Sequence, residues 1–206
     1  MEIVRLGETP LEEVVEKAVA VLKEGGIVAY PTDTVYGLGV DAFNEHALHK
    51  LRTLKQREKK RPISIVVAEV EHLKEHGELN EHASRLADAH LPGALTLVLP
   101  AKDHIPESLT FNGGVGIRVP NDPLCRALAK AFHRPYTTTS ANQTRLATPK
   151  SVDELVWHFG NRIHHIDLII DGGPRDGGLA STVVSCVGET PQVLREGVIL
   201  RKDLGL

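Results

Sequence analysis

Three stretches of this sequence gather side chains that could do chemistry. In Lys50–Arg61, seven of twelve residues are basic (50, 52, 55, 57, 59, 60 and 61) against one acid, Glu58. The chain as a whole carries a formal charge of −3, so this cluster marks a local anion site and not a global basic footprint. Arginine gives planar, two-pronged contacts to phosphate oxygens, and lysine a compact point charge. Two other readings stay open at this point. Cations at a helix end suit the helix dipole, and the same patch could meet an RNA backbone. Aromatic residues for base stacking are absent nearby.

The second stretch, P-T-D-T-V-Y-G-L-G at 31–39, leaves an apolar run with hydroxyls, one carboxylate and two glycines close together. A loop at the C-terminal end of a strand is where α/β sheets usually bind ligands. The alternative is an ordinary glycine-rich turn. Gly37 to Ala42 also matches G-x-G-x-x-A, the dinucleotide fingerprint. That motif needs a glycine at the strand-to-helix turn and an acid about 20 residues on. Here the helix starts late, at Asn44, and the later region is basic, so the match is set aside. The third stretch, Tyr136–Asn142, brings four hydroxyls and an amide out of an apparent strand, unless it is only a threonine-rich strand. Alternation puts Thr138, Ser140 and Asn142 on one face, suited to a small zwitterion or a ribose. Ser140 lacks the G-x-S-x-G of a nucleophile elbow, and no Walker loop occurs.

The elements that must position these residues follow from pattern. Thr9, Pro10 and Glu12 read as a capping box, and Leu11, Val14, Val15, Ala18 and Leu22 recur at helical spacing up to Gly25. Asn44 caps a helix through Lys55; 79–90 reads as a helix; Asp122-Pro123 opens another to Phe132; Ser151 and Glu154 have capping-box spacing before a short one. Residues 27–30, 63–68, 95–99, 115–119, 136–139, 166–170, 182–187 and 192–194 read as strands. Strands and helices interleave, and the last strands follow one another without helices between. The pattern predicts a single α/β domain over residues 1–206, with a mixed β-sheet and flanking helices.

Composition narrows the class. An apolar fraction of 41% is enough for a real core. Cys125 and Cys186 form no disulfide framework, which makes a reducing cytoplasm the default. The start, M-E-I-V-R-L-G, lacks a secretory apolar region, and no apolar run reaches the ~20 residues that span a bilayer, so no membrane role is expected. The eleven histidines show no H-E-x-x-H and no Cys/His framework; they read as exposed, with no metal site.

Together these stretches resemble the threonylcarbamoyl-AMP synthase family, the YrdC-like domain. The matching pieces are P-T-D-T-V-Y-G-L-G at 31–39, the K-x-R of Lys55 and Arg57, L-P-G-A-L-T-L-V-L at 91–99, G-I-R-V-P at 116–120, S-A-N at 140–142, S-T-V at 181–183 and L-R-E-G at 194–197. The resemblance implies a twisted mixed sheet with a concave basic face. It implies condensation of L-threonine, bicarbonate and ATP to threonylcarbamoyl-AMP plus pyrophosphate, feeding N6-threonylcarbamoylation of tRNA adenosine 37. By motif match Thr34, Arg118, Ser140 and Ser181 would hold threonine; Lys55, Arg57, Asn142, Thr148 and Arg195 would surround ATP; Lys55, Arg57, Ser140 and Asn142 would carry the chemistry. A magnesium ion would accompany ATP, held mainly by phosphate and water. The downstream partner would be a tRNA-modifying transferase complex. The alternative function is a YrdC-like module that binds nucleotide or RNA on the basic face without turnover. The family often continues S-A-N with x-S-G, where this chain has Gln143-Thr144-Arg145. A longer branch has a linker, a second domain and a histidine in the strand after the basic loop, where Val66 stands here.

Overall fold

The computed structural model describes residues 1–58, 61–143, 146–175 and 178–206. Lys59 and Lys60 of the basic stretch, and Thr144 and Arg145 after the S-A-N turn, lie outside the described residues. In chain order the strands are β1 (Glu2–Arg5), β2 (Val28–Tyr30), β3 (Gly37–Gly39), β4 (Ser64–Val66), β5 (Leu95–Pro100), β6 (Thr110–Phe111), β7 (Gly114–Arg118), β8 (Tyr136–Ser140), β9 (Leu168–Asp171), β10 (Thr182–Ser185) and β11 (Gln192–Arg195). They form one sheet in the order β1-β9-β2-β3-β8-β4-β7-β5-β10-β11, with β6 beside β7. β9 runs parallel to β1 and β2, β4 to β7, and β5 to β10; the remaining pairs are antiparallel. The sheet is therefore mixed, as the helix-poor last third predicts.

Alternation along the strands splits the core between two faces. Val28, Tyr30, Val66, Leu168 and Ile170 point one way. There they meet Val14, Ala18 and Leu22 of helix α1 (Leu11–Lys23) and Leu124, Leu128 and Phe132 of α5 (Pro123–Phe132). Their neighbours Ile27, Ala29, Ile65 and Ile169 point the other way. They join Leu48 and Leu51 of α2 (Glu45–Lys55), Leu86 of α4 (Glu81–His90) and Leu155 of α6 (Val152–Phe159). Each fully buried Leu, Ile or Val contributes roughly 1.5–3 kcal/mol. Leu22, with no exposed surface, sits where truncation to alanine would cost about 2–5 kcal/mol.

Caps fix the helix starts. The Asn44 side chain accepts from the Ala47 N–H at 3.0 Å, Asp122 from Cys125 at 3.0 Å and Ser151 from Glu154 at 3.2 Å. The capping box expected at Thr9 and Glu12 does not form. Pro10 occupies the N-cap, and the Thr9 N–H bonds to the Arg5 carbonyl at 3.1 Å in a tight turn. The helix expected from residue 79 begins at Glu81, because the Asn80 side chain caps it through the Ala83 N–H at 2.8 Å.

Two further expectations are corrected. Gly37–Gly39 is a strand and not a loop, inserted between β2 and β8. Its glycines serve close approach: a Cβ on Gly39 would lie 2.8 Å from the Thr137 carbonyl oxygen and 3.0 Å from the rings of Tyr30 and Tyr136. The dinucleotide fingerprint thus falls on an antiparallel strand. His76, in the short helix α3 (Leu73–His76), is buried and not exposed. Its Nδ1 lies 3.1 Å from His104 Nε2, and burial, with His104 next in weight, pulls its pKa down. Among the described residues no group of three or more His, Cys, Asp or Glu could hold a metal ion. No helix among them is long and apolar enough to cross a membrane.

Candidate active site

A cavity of about 520 Å³ opens on one face of the sheet, along β5, β7, β8, β10 and β11 and beside the starts of β3 and β4. That volume is typical of small-molecule sites. Its lining joins Arg57, Arg61, Arg118 and Arg195 with the hydroxyls of Thr34, Ser140 and Ser181. No carboxylate lines it among the described residues.

On one side stands Arg118, at the end of β7. It donates to the Gly93 carbonyl at 3.3 Å, to Thr34 Oγ1 at 3.1 Å and to Asp33 Oδ1 at 2.5 Å. These contacts use three of its five N–H groups. Asp33 also accepts from the Asn121 N–H at 3.0 Å, so the carboxylate is fixed from two sides. Thr32 Oγ1 donates to the Val35 carbonyl at 2.7 Å and accepts from the N–H groups of Thr34 and Val35, at 3.0 and 3.2 Å. Its proton is therefore spent, and the 2.9 Å contact between the two threonine hydroxyls has Thr34 donating. With Arg118 donating to it as well, Thr34 Oγ1 has a defined orientation and one acceptor position left. A carboxylate-binding arginine beside an oriented hydroxyl suits an amino acid.

Ser181 adds to this side. Its Oγ lies 2.8 Å from Thr96 Oγ1, and Arg195 donates to its carbonyl through Nη2 at 2.7 Å and Nε at 3.2 Å. The chain returns beneath it at Gly197. A Cβ there would fall 2.1 Å from the Ala180 carbonyl oxygen, so only glycine lets the two backbones pass. The wall along β7 is bare at Gly114 and Gly116. A Cβ at Gly114 would meet Val98 Cγ1 at 2.7 Å and Val187 Cγ2 at 2.8 Å; one at Gly116 would meet Ser64 Oγ at 2.6 Å.

The basic stretch forms the opposite side. Helix α2 ends at Gln56 in the left-handed conformation, φ 50°, and the chain turns back. Arg57 folds over its own loop, donating through Nε to the Arg61 carbonyl at 3.3 Å and through Nη2 to the Pro62 carbonyl at 2.7 Å. Burial, then the charges of Arg52, Arg61 and Arg195, pull its pKa down to about 10. Burial, then Arg118, lowers that of Arg195. The cations oppose one another across the cavity, and a polyanion between them would relieve that repulsion.

Not every residue singled out from the sequence lies in the lining. Lys55 is 1% exposed and sits behind the wall. Its ammonium donates to the Ser140 carbonyl and, at 2.7 Å, to the Asn142 carbonyl. It therefore shapes the S-A-N turn from below. Burial, then Arg57, pulls its pKa down to about 7. Asn142 is also behind the lining: its Oδ1 accepts from Ser140 Oγ at 2.6 Å, and its Nδ2 donates to the Leu146 carbonyl. Thr148 is half-buried and outside the lining. Thr138, placed by alternation on the face of Ser140, lines the cavity; Arg61 lines it too and Asp33 backs it, although motif match gives neither of these two a role. Arg61 was hidden among its basic neighbours. For Asp33 the signal was present: a lone acid between two threonines.

This α/β domain, with arginines facing ordered hydroxyls across a glycine-walled cavity, belongs to the Sua5/YciO/YrdC family: residues 20–197 match that family, described as "Telomere recombination". The threonylcarbamoyl-AMP synthase of Bacillus subtilis (strain 168) is 36% identical over 196 residues, covering 92% of this chain and 55% of that protein. The putative threonylcarbamoyl-AMP synthase of Methanocaldococcus jannaschii is 33% identical over 199 residues, covering 97% of this chain and 93% of that one. The crystal structure of P. abyssi Sua5 complexed with L-threonine superposes with a TM-score of 0.88 at 34% identity, covering 96% of this chain and 58% of that one. The chain thus spans a little over half the length of the B. subtilis and P. abyssi proteins and nearly all of the M. jannaschii one.

Proposed function

We propose that this chain is a threonylcarbamoyl-AMP synthase, condensing L-threonine, bicarbonate and ATP to threonylcarbamoyl-AMP and pyrophosphate. The observation that carries the reading is one cavity in which Arg57 and Arg61 face the ordered Thr34–Arg118–Ser181 side, with Arg195 held on the Ser181 carbonyl. One half suits a triphosphate and the other an amino acid. In this reading Arg118 binds the threonine carboxylate or its carbamate, and Thr34 and Ser181 orient the substrate. The threonine amine adds to bicarbonate, a C–N bond forming as water leaves, and an oxygen of the resulting carbamate attacks the α-phosphorus of ATP. A new O–P bond forms, the bond from that phosphorus to the bridging β-phosphate oxygen breaks, and pyrophosphate leaves. The attacking group is already nucleophilic, so the protein supplies placement and charge neutralisation, not a covalent nucleophile. Ser140, Lys55 and Asn142 act together, the buried lysine holding the turn that presents the serine.

Magnesium accompanies ATP in this reading. The lining offers hydroxyls but no carboxylate among the described residues, a donor set that suits an ion carried on the phosphates and water. The product would pass to a tRNA-modifying transferase complex in the cytoplasm. Incubation with ATP, magnesium, bicarbonate and threonine should yield the adenylate by mass, with stoichiometric pyrophosphate. Nucleotide or RNA binding without threonine-dependent pyrophosphate release would overturn the reading.

A further inference from the structure

Arg52 stands apart from the other cations of the basic stretch. It lies on α2, one turn before Lys55, and is buried. No carboxylate pairs with it among the described residues. Its guanidinium instead donates to three backbone carbonyls: through Nη1 to Glu58 at 3.2 Å and Arg61 at 3.0 Å, and through Nη2 to Ser108. The first two belong to the loop that carries Arg57. The Arg61 carbonyl receives both Arg52 Nη1 and Arg57 Nε, so the two guanidinium groups share one anchor. The backbone repeats the link, since the Arg57 N–H donates to the Arg52 carbonyl at 2.9 Å. The third carbonyl lies in the Glu107–Leu109 turn leading into β6, beyond which Phe111 and Asn112 line the cavity. Ser108 is held to α2 a second time, its Oγ donating to Glu45 Oε1 at 3.0 Å.

From this arrangement we infer that Arg52 is the positioning residue of the anion side: it fixes residues 56–58 and 61–62 against the 107–112 segment and so sets where Arg57 and Arg61 stand. The inference rests on the nucleotide reading of that side. A planar fork spanning three carbonyls explains why arginine is needed here. Burial disfavours a cation, the nearby Glu45 carboxylate favours it, and a guanidinium adds donors aimed at three carbonyls at once. Lysine keeps the stem and the charge but reaches fewer carbonyls.

Binding of inorganic tripolyphosphate, measured by titration calorimetry, needs no turnover and tests this directly. Arg52→Lys should weaken binding roughly tenfold, the loss expected when contacts to a charged group go. Arg57→Ala should weaken it by at least as much, and the double variant should lose less than the sum of the two single losses, because Arg52 acts through Arg57 and Arg61. Amide exchange at Arg61, whose N–H bonds to the Glu58 carbonyl at 3.1 Å, should quicken in Arg52→Lys. If Arg52→Lys does not fold, Arg52→Gln, neutral with two donors, takes its place. Unchanged affinity with a lowered melting temperature would overturn the proposal, leaving Arg52 a fold staple only. So would losses that add in the double variant, or unchanged exchange at Arg61. Failure of the unsubstituted protein to bind tripolyphosphate would instead sink the nucleotide reading, and exchange at Arg61 would still decide the role of Arg52 in the loop.

Discussion

Raising the pH from 6 to 9 should stabilise the unliganded protein through Lys55. Burial brings its pKa from 10.5 to about 7 in the folded state, while the unfolded chain keeps the ordinary value. Between those two values the unfolded state binds more protons, so stability rises with pH from about 7 towards 10.5; below about 7 both states are protonated and the slope vanishes. One pKa unit corresponds to about 1.4 kcal/mol, so the full penalty at low pH is of order 5 kcal/mol, and moving from pH 6 to 9 removes about 3 kcal/mol of it. For a chain of this size that is a rise of roughly 6–12 °C in melting temperature. Other groups titrate over the same range, so the informative quantity is a difference between proteins. Lys55→Met leaves the carbonyls of Ser140 and Asn142 without their donor, a cost that is the same at both pH values and cancels. Urea unfolding of both proteins at pH 6 and 9 should give the unsubstituted protein the larger increment, by about 3 kcal/mol. Equal increments would refute the argument, because they would mean the ammonium is solvated or paired well enough to keep its ordinary pKa.

Three further outcomes follow from the site. Arg57→Lys keeps the charge but cannot span the Arg61 and Pro62 carbonyls, and should lower kcat/KM for ATP roughly tenfold or more, read from pyrophosphate release. Ser140→Ala removes one neutral hydrogen bond, to Asn142 Oδ1, and should slow turnover with threonine about two- to tenfold while lowering the melting temperature by only about 1–6 °C; total loss in a folded protein would point to covalent catalysis. Asp33→Asn leaves the buried Arg118 guanidinium without its counter-charge and should cost about 3 kcal/mol in urea unfolding, with a higher KM for threonine.

Much of this architecture could be read from the chain because local rules and tertiary needs agreed there. The helices opened by Asn44, Asp122 and Ser151 start where their caps predict. The pattern failed where a tertiary partner decided. β1 is only four residues long, alternates poorly and exists because β9 offers it a parallel edge. Gly37–Gly39 has turn-like composition, and pairing with β2 and β8, beside tyrosine rings that leave no room for a Cβ, makes it a strand. At the site, motif match singled out Arg57, Arg118, Ser140 and Ser181, which all line the cavity, and residue type alone added less. It could not separate Arg61 on the wall from Arg52 beneath the loop, because both read as cations in one basic run. Nor could it show Lys55 turned inward. Orientation depends on where backbone carbonyls from distant segments converge, and in a sequence those contacts lie as far as 87 residues apart.

The bare wall at Gly114 and Gly116 carries a consequence for how this pocket can change over generations. Both positions already hold the smallest residue there is, so every substitution adds volume, and at Gly114 it adds it within 2.8 Å of Val98 and Val187. Drift on this wall is a one-way street: the hollow can be filled but never deepened. New substrate range must therefore arise at the rim, where Phe111 and Leu194 are half-open to solvent and free to shrink or grow. Lineages that alter what this cavity accepts should vary at those rim positions while the floor stays empty of side chains.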